Sequence, residues 1–233
     1  MTIDVGDLKN TVELVGFYGS DTTHALSAWT STMRELNDEK RSRMEKLLTK
    51  LAQEKHHTPF EKSSLHFLVK TDIATHIQLL KHRIGVSING ESARYKELKE
   101  DKLYMPSEWP EDEKEKYIEH MELTYQNYHR ALERLTTHYM EVEGLEKRLA
   151  RNRAKESARF YLPYGNQLTC DIMFNFRSFM HFVGLRYSIH AQREIRNVAK
   201  EMIILTKNTG EFDASLRAFG LYDEKGNMAP PSK

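Results

Sequence analysis

Apolar residues recur along this chain with two different periods. Leu65, Phe67 and Val69 alternate with Ser64, His66, Leu68 and Lys70, and Leu168, Cys170, Ile172 and Phe174 alternate further on. A period of two predicts strands. Thr11 to Tyr18, β-branched and aromatic up to Gly19 and Ser20, predicts another. Elsewhere the period is helical. A helix is expected through Ala25 to Met33, and Met44, Leu47, Leu48 and Leu51 fall on one helical face behind the capping candidates Asn37 and Asp38. Asp72 is placed to cap a helix striped by Ile73, Ile77, Leu80 and Ile84. Pro110, with Glu111, Asp112 and Glu113 behind it, opens the longest helix, whose stripe runs through Tyr117, Met121, Tyr125, Tyr128, Leu132, Leu135 and Tyr139. Another helix runs from about Leu145 to Phe160 and ends before Pro163. Asn175 to Arg186 returns to helical spacing, and Ile195, Val198, Met202 and Leu205 stripe the last long helix.

Gly85 to Tyr95 has no helical period and reads as a loop, while the end of the chain, with Pro230 and Pro231, reads as a frayed tail. The strands are few and do not alternate strictly with helices, so the expected class is α+β. We expect one mostly helical domain over residues 1–225 with a small, mainly antiparallel sheet, then a flexible tail over 226–233.

Composition narrows the function. Among the 233 residues, Lys plus Arg (35) nearly balance Asp plus Glu (34), so the chain has no global positive field of the kind a general nucleic-acid binder carries. Cys170 is the sole cysteine, which rules out an intrachain disulfide and a multi-cysteine metal site and suits a reducing cytoplasm. No apolar run approaches a membrane span of about 18 residues. The histidines around His56, His57 and His82 lack the His-x-x-x-His spacing with a helical glutamate that a metal hydrolase needs, so no metal site is expected.

The most informative stretch is Gln78 to Tyr95, QLLKHRIGVSINGESARY, where basic groups, serines, an acid and glycines gather at a helix-to-loop junction. Such a junction suits an anion: Ser92 and nearby backbone N–H groups fit around a phosphate, and Arg94 offers a planar fork to its oxygens. On a continued helix Gln78, Lys81 and His82 share a face, whereas Lys81, His82 and Arg83 cannot share one partner. A solvated basic helix end beside a mobile loop fits the same composition.

The wording of this stretch resembles the flavin-dependent thymidylate synthases, whose motif is Arg-His-Arg, a spacer, then Ser-x-Asn-Glu-x-Ser-x-Arg-Tyr. Here Lys81-His82-Arg83 precede Ser87-Ile88-Asn89-Gly90-Glu91-Ser92-Ala93-Arg94-Tyr95. Upstream, His56-His57-Thr58-Pro59-Phe60-Glu61 is similar to the family's His-x-Thr-Pro-Phe-Glu segment. Downstream, Arg159 before Leu162-Pro163, Asn175-Phe176-Arg177, Leu185-Arg186 and His190-Ala191-Gln192 follow in the family's order. There are departures. Lys81 stands where arginine is usual, His181 where asparagine often is, one extra residue lies between Arg83 and Ser87, and Gly90 takes the place of the expected glutamate, with Glu91 following.

The resemblance implies a homotetramer with active sites shared between subunits, FAD as cofactor, and dUMP, 5,10-methylenetetrahydrofolate and NADPH as reactants. Carried over by position, it implies FAD contacts from Ser31, His56, Thr58, Lys81, His82, Arg83, Asn175, Phe176, Arg177 and His181. For dUMP it implies Gln78, Leu79, Leu80, Lys81, Gly90, Glu91, Ser92, Ala93, Arg94, Arg159 and Arg186. Helical spacing agrees in part, since Arg177 and His181 share a face and Arg186 faces nearly the opposite way. Glu91 is expected to replace the missing glutamate, the rival being a solvent-facing Glu91 with backbone groups at Gly90 serving the nucleotide.

Arg186 is the expected catalytic residue. Uracil C5 is a weak nucleophile, and a cation against the charge developing at N3 and O4 raises electron density there without a cysteine adding to C6. Plainer readings stand beside these: His56 and His57 as a polar turn, His181 as a satisfied core histidine, the charges from Lys147 to Arg159 as a solvated face and Cys170 as a small buried apolar residue. The alternative function is a non-catalytic helical module binding RNA or protein through the basic cluster from Arg148 to Arg159.

Overall fold

The computed structural model describes residues 9–92, 94, 97 and 102–233. The first strand, β1 (Thr11–Tyr18), leads into α1 (Asp21–Trp29) and α2 (Asp38–Gln53). A 3-10 turn over Thr58–Lys62 precedes β2 (Ser64–Asp72), α3 (Ile73–Leu79) and β3 (Val86–Gly90). Then come α4 (Glu111–Glu141), α5 (Lys147–Ala158), a second 3-10 turn (Arg159–Tyr161) and β4 (Gln167–Asn175). The chain closes with α6 (Phe176–Arg186), α7 (Arg193–Asn208) and α8 (Asp213–Ala218). The four strands form one antiparallel sheet in the order β1-β2-β4-β3, so the class is α+β as expected.

The period-two strands bury one face as their pattern requires: Leu65, Phe67 and Val69 on β2, and Cys170, Ile172 and Phe174 on β4, are almost wholly inaccessible. The Oδ1 of Asp72 accepts the N–H of Thr75 at 2.8 Å, capping α3 as its sequence predicts.

The described chain divides into two compact units. The larger comprises Thr11–Val69, Gln78–Asn89 and Asp171–Lys233; the smaller comprises residues 9–10 with Lys70–Ile77 and Gly90–Cys170. The sequence shows no break between them because, apart from the border just before β1, the borders fall inside β2, α3, β3 and β4 and not in linkers.

The larger unit has an aromatic core. Phe60, Phe67, Phe174, Phe176, Phe179, Phe182 and Phe212 are fully buried, and Phe176 stacks on Phe212 with centroids 5.4 Å apart. His24 is embedded there, bridging Ser63 Oγ (2.7 Å) and Ser215 Oγ (2.9 Å), and burial pushes it down to about 3, so it is a neutral strut. In the smaller unit, Ala150, Ala154 and Ala158 recur every fourth residue on α5, and this row of small side chains packs against Tyr128, Leu132 and Tyr139 of α4.

Three expectations are corrected. The helix striped by Ile73, Ile77, Leu80 and Ile84 ends at Leu79, and Ile84 is 90% exposed. The chain turns there through His82 N–H to the Leu79 carbonyl (3.1 Å) and then through Gly85 at φ +65°. Residues 86–90, expected as loop, form β3. Val86 and Ile88 do alternate with Ser87 and Asn89, but the four residues between Gly85 and Gly90 are too few to reveal a period. The expected frayed tail is tied down within the larger unit: Tyr187 Oη donates to the Ala229 carbonyl (3.0 Å), Ser232 N–H to the Tyr187 carbonyl (3.0 Å) and Ile189 N–H to the Ser232 carbonyl (2.8 Å).

Candidate functional site

The larger unit concentrates open space around α6. One cavity of about 890 Å³ is bounded by Tyr18, Thr23, Arg34, Lys62, Gly85 and Met173, among others; a second, of about 540 Å³, by His57, Ile84, Arg177, His181, Leu185 and Phe219. Glu61 and Asn175 line both. A third space of about 310 Å³ is lined by Lys81, His82, Arg83, His181 and Arg186, and shares Ile84, Ser178, His181 and Leu185 with the second. These sizes fall in the range of cofactor sites.

The start of α6 shapes the junction. Asn175 caps the helix, its Oδ1 accepting the Ser178 N–H at 2.8 Å, while its own N–H donates to the Gly85 carbonyl at 3.0 Å. Gly85 is the residue type this turn demands: its φ is +65°, and a Cβ there would come within 2.3 Å of both Asn175 Nδ2 and Ser178 Oγ. It lies in the spacer between Arg83 and Ser87, where its left-handed backbone turns the chain just before β3 starts. Arg177, one step into α6, is ion-paired with Glu61.

At the other end of α6, Arg186 is half-buried and meets neutral acceptors. Its Nε donates to His82 Nε2 (3.0 Å), Nη1 to Gln78 Oε1 (3.2 Å) and Nη2 to the Gln78 carbonyl (3.4 Å). Accepting from a guanidinium requires His82 to be neutral with its proton on Nδ1. Burial first, then the charges of Arg186 and His181, hold its pKa down at about 4. Desolvation also lowers the Arg186 pKa from its ordinary value, though an arginine stays charged.

The flavin candidates divide accordingly. Asn175, Arg177 and His181 line the larger cavities, and Lys81, His82 and Arg83 line the third with His181. Those three basic residues do share a space, contrary to the helical argument, because they lie in a turn beyond α3. His181 is exposed and not a core histidine. Ser31, His56 and Thr58 are exposed and line none of these spaces, and His56 sits 3.8 Å from Glu54 instead. The neighbouring His57 lines the second cavity. Phe176, expected at the cofactor, is fully buried, because the first residue after the Asn175 cap turns into the aromatic core. Leu79 is likewise fully buried, whereas Leu80 is exposed.

The remaining nucleotide candidates lie in the smaller unit, except that Ala93 is outside the described residues. Glu91 pairs with β4 twice: its N–H donates to the Thr169 carbonyl and its Oε2 accepts the Thr169 N–H, both at 2.8 Å. Its carboxylate therefore does not point to solvent. Gly90 needs no glycine backbone, since its φ is not positive and a Cβ would sit at ordinary contact, 3.4 Å, from Cys170 Cβ and His76 Cε1. Ser92 Oγ accepts the Arg94 N–H at 3.3 Å. Arg94 donates through Nε (3.0 Å) and Nη2 (2.7 Å) to Glu156, holding that carboxyl below its ordinary pKa. Arg159 Nε donates to the Glu156 carbonyl at 3.2 Å.

Sequence reasoning missed Gly85, Ser178 and His57 as site-shaping residues. The extra spacer residue was the available signal for Gly85, and the second histidine of the His-His-Thr-Pro run for His57. Among the described residues no cluster of His, Cys, Asp and Glu is arranged to hold a metal ion, and no helix is long and apolar enough to cross a membrane.

Comparison with known proteins matches the chain to a family. A family model described as thymidylate synthase complementing protein matches residues 13–209. The flavin-dependent thymidylate synthase of Streptomyces avermitilis is 33% identical over 213 residues, covering 82% of this chain and 84% of that protein. The flavin-dependent thymidylate synthase of Thermosipho melanesiensis is 33% identical over 198 residues, covering 82% of each. Among solved structures, a UMP/dUMP methylase from Streptomyces cacaoi bound with 5-Br dUMP superposes with a TM-score of 0.72 at 28% identity, over 91% of this chain and 95% of that one.

Proposed function

This chain belongs to the flavin-dependent thymidylate synthase family, and we propose that it is a methyltransferase converting dUMP to dTMP with FAD, 5,10-methylenetetrahydrofolate as carbon donor and NADPH as reductant. The observation that carries this reading is Arg186, a charged group beside an open space whose neighbours are neutral acceptors and not carboxylates.

The residues present fit a flavin. A dinucleotide with fused rings needs a long cleft, apolar walls and donors for its pyrophosphate. The two larger cavities offer Tyr18, Met173, Ile84, Leu185 and Phe219 as walls, with Arg34, Lys62, Arg177 and the N-terminus of α6 as cationic or donor groups. Asn175, Arg177 and His181, with Lys81, His82 and Arg83, are the residues proposed to hold it. When bound, FAD supplies the redox chemistry, passing reducing equivalents from NADPH to the transferred one-carbon unit.

The chain's own part is electrostatic. Its guanidinium keeps Arg186 from acting as a base at working pH, so the residue stabilises the polarised ring form with negative charge on N3 and O4, in which C5 is electron-rich enough to attack the one-carbon unit. A methylene group then becomes methyl on C5 while the C5 proton leaves. Gln78 and His82 hold Arg186 in place, and neutral His82 adds no second positive charge against it. For the nucleotide phosphate we propose Arg94 and Arg159, and for the family's missing glutamate Glu91, whose carboxylate exchanges the Thr169 N–H for ligand. Cys170, 1% exposed on β4, suits the proposed route, which needs no thiol. The homotetramer with shared active sites belongs to the same proposal, on the strength of the family resemblance.

The binding-module alternative is set aside on the family match, since the family model and the curated relatives are thymidylate synthases. The flavin test is direct. The purified chain is expected to be yellow or to take up added FAD with a shifted flavin spectrum; a protein that stays colourless and leaves the FAD spectrum unchanged contradicts the proposal.

A further inference from the structure

The aim of Arg186 depends on a residue outside the proposed chemistry. A guanidinium carries five N–H groups and no lone pair, so every hydrogen-bonding neighbour must present an acceptor. His82 does so with a ring nitrogen and Gln78 with its backbone carbonyl, neither of which can exchange places with a donor while the histidine stays neutral. The Gln78 side chain is different. Its oxygen and NH2 can trade positions by a half-turn with almost no change of shape, and the turned amide would set its donors against the guanidinium.

The donors of Arg186 select the Gln78 oxygen, and the far side of the same amide has a partner of its own. Gln78 Nε2 donates to Gln192 Oε1 at 2.6 Å, which leaves Gln78 Oε1 facing Arg186. Gln192 stands immediately before α7, and its backbone carbonyl accepts the Arg196 N–H at 3.0 Å, so the helix start fixes the main chain from which its side chain reaches Gln78. With Nε, one Nη1 hydrogen and one Nη2 hydrogen engaged, two of the five guanidinium N–H groups are left for a ligand.

We infer that Gln192 is a positioning residue for the nucleotide reaction: its side-chain carbonyl locks the Gln78 amide with oxygen toward Arg186 and thereby points the two remaining N–H groups. The inference rests on the functional reading above only in taking uracil as the group they meet. Gln192 touches no reacting atom and works through Gln78.

The discriminating pair is Gln192→Glu and Gln192→Lys, each as the flavin-loaded enzyme. A carboxylate still accepts from Gln78 Nε2, whereas an ammonium only donates, draws the Gln78 oxygen to itself and turns the NH2 onto Arg186. Gln192→Glu is expected to keep kcat within about threefold of the unmodified chain, and Gln192→Lys to lose at least about tenfold in kcat with thermal midpoint and flavin spectrum retained. Equal kcat for the two variants overturns the inference. Crystal structures of both variants separate it from the functional reading: absence of turnover in the unmodified chain refutes that reading alone, while an Arg186 guanidinium that keeps its His82 and Gln78 bonds in Gln192→Lys overturns the relay.

Discussion

Arg186 in the larger unit and Arg94 in the smaller one solve the same electrostatic problem in opposite ways. Arg186 is held by an imidazole nitrogen, an amide oxygen and a backbone carbonyl, and so retains its full charge for a ligand. Arg94 is held by the Glu156 carboxylate, which cancels most of its charge until something replaces that partner. Neutral acceptors position a cation, whereas a carboxylate stores it. Charge growing on a uracil ring is met best by the first kind, and a phosphate, which carries enough charge to displace a carboxylate, suits the second.

The largest expected effect follows from the first kind. Arg186→Ala should lower turnover by about 10² to 10³, the scale of deleting a preorganised charge, with flavin binding kept. A flavin-loaded Arg186→Ala enzyme turning over normally would break the comparison. Gly85→Ala should come next, because it forces a left-handed backbone on alanine and drives a methyl into Asn175 and Ser178. Flavin affinity is expected to fall roughly 30-fold, in keeping with strain of about 1–3 kcal/mol, while Gly90→Ala stays within about twofold. Flavin titrations in which the two glycine variants behave alike would undo the role given to the Gly85 turn in shaping the cavity.

Arg94→Ala tests the stored cation. The loss of dUMP affinity should be about tenfold, and Glu156→Gln, which removes the carboxylate charge facing Arg94, should tighten dUMP by about two- to threefold at low salt. Calorimetry with Glu156→Gln weaker than the unmodified chain would mean that the pair orients Arg94 and does not compete with phosphate. Cys170→Ala should change least. Turnover within about twofold is expected, and kinetics showing its loss in a folded, flavin-loaded protein would demand a thiol route.

How far the sequence already carried this picture depended on what kind of signal each part sent. Period and capping residues placed β1, β2, β4 and the helices that are long enough to repeat, down to Asn37 and Asp72 as caps. They failed where the chain changes direction over few residues. The stripe through Leu80 and Ile84 looked helical because apolar spacing does not register Gly85, and the same glycine hid β3. Proline-rich composition suggested a loose tail, but the bonds that dock it use backbone groups and Tyr187, invisible in the tail's own residues. For the candidate site, motif position selected Asn175, Arg177 and Arg186, which line open spaces, and also Phe176 and Leu79, whose side chains the core claims. A motif preserves positions; burial decides which side chains remain available. The neutral state of His82 and the Glu156 partner of Arg94 arise from segments far apart in sequence, so spacing had no access to them.

The central claim is tested most directly by incubating the purified chain with FAD, NADPH, 5,10-methylenetetrahydrofolate and dUMP tritiated at C5, and measuring tritium released to water against dTMP formed. The account requires the two to appear in equal amounts and to depend on FAD and NADPH together. Neither product appearing from a folded, flavin-loaded protein, or dTMP forming at full rate with FAD withheld from flavin-free protein, would contradict it.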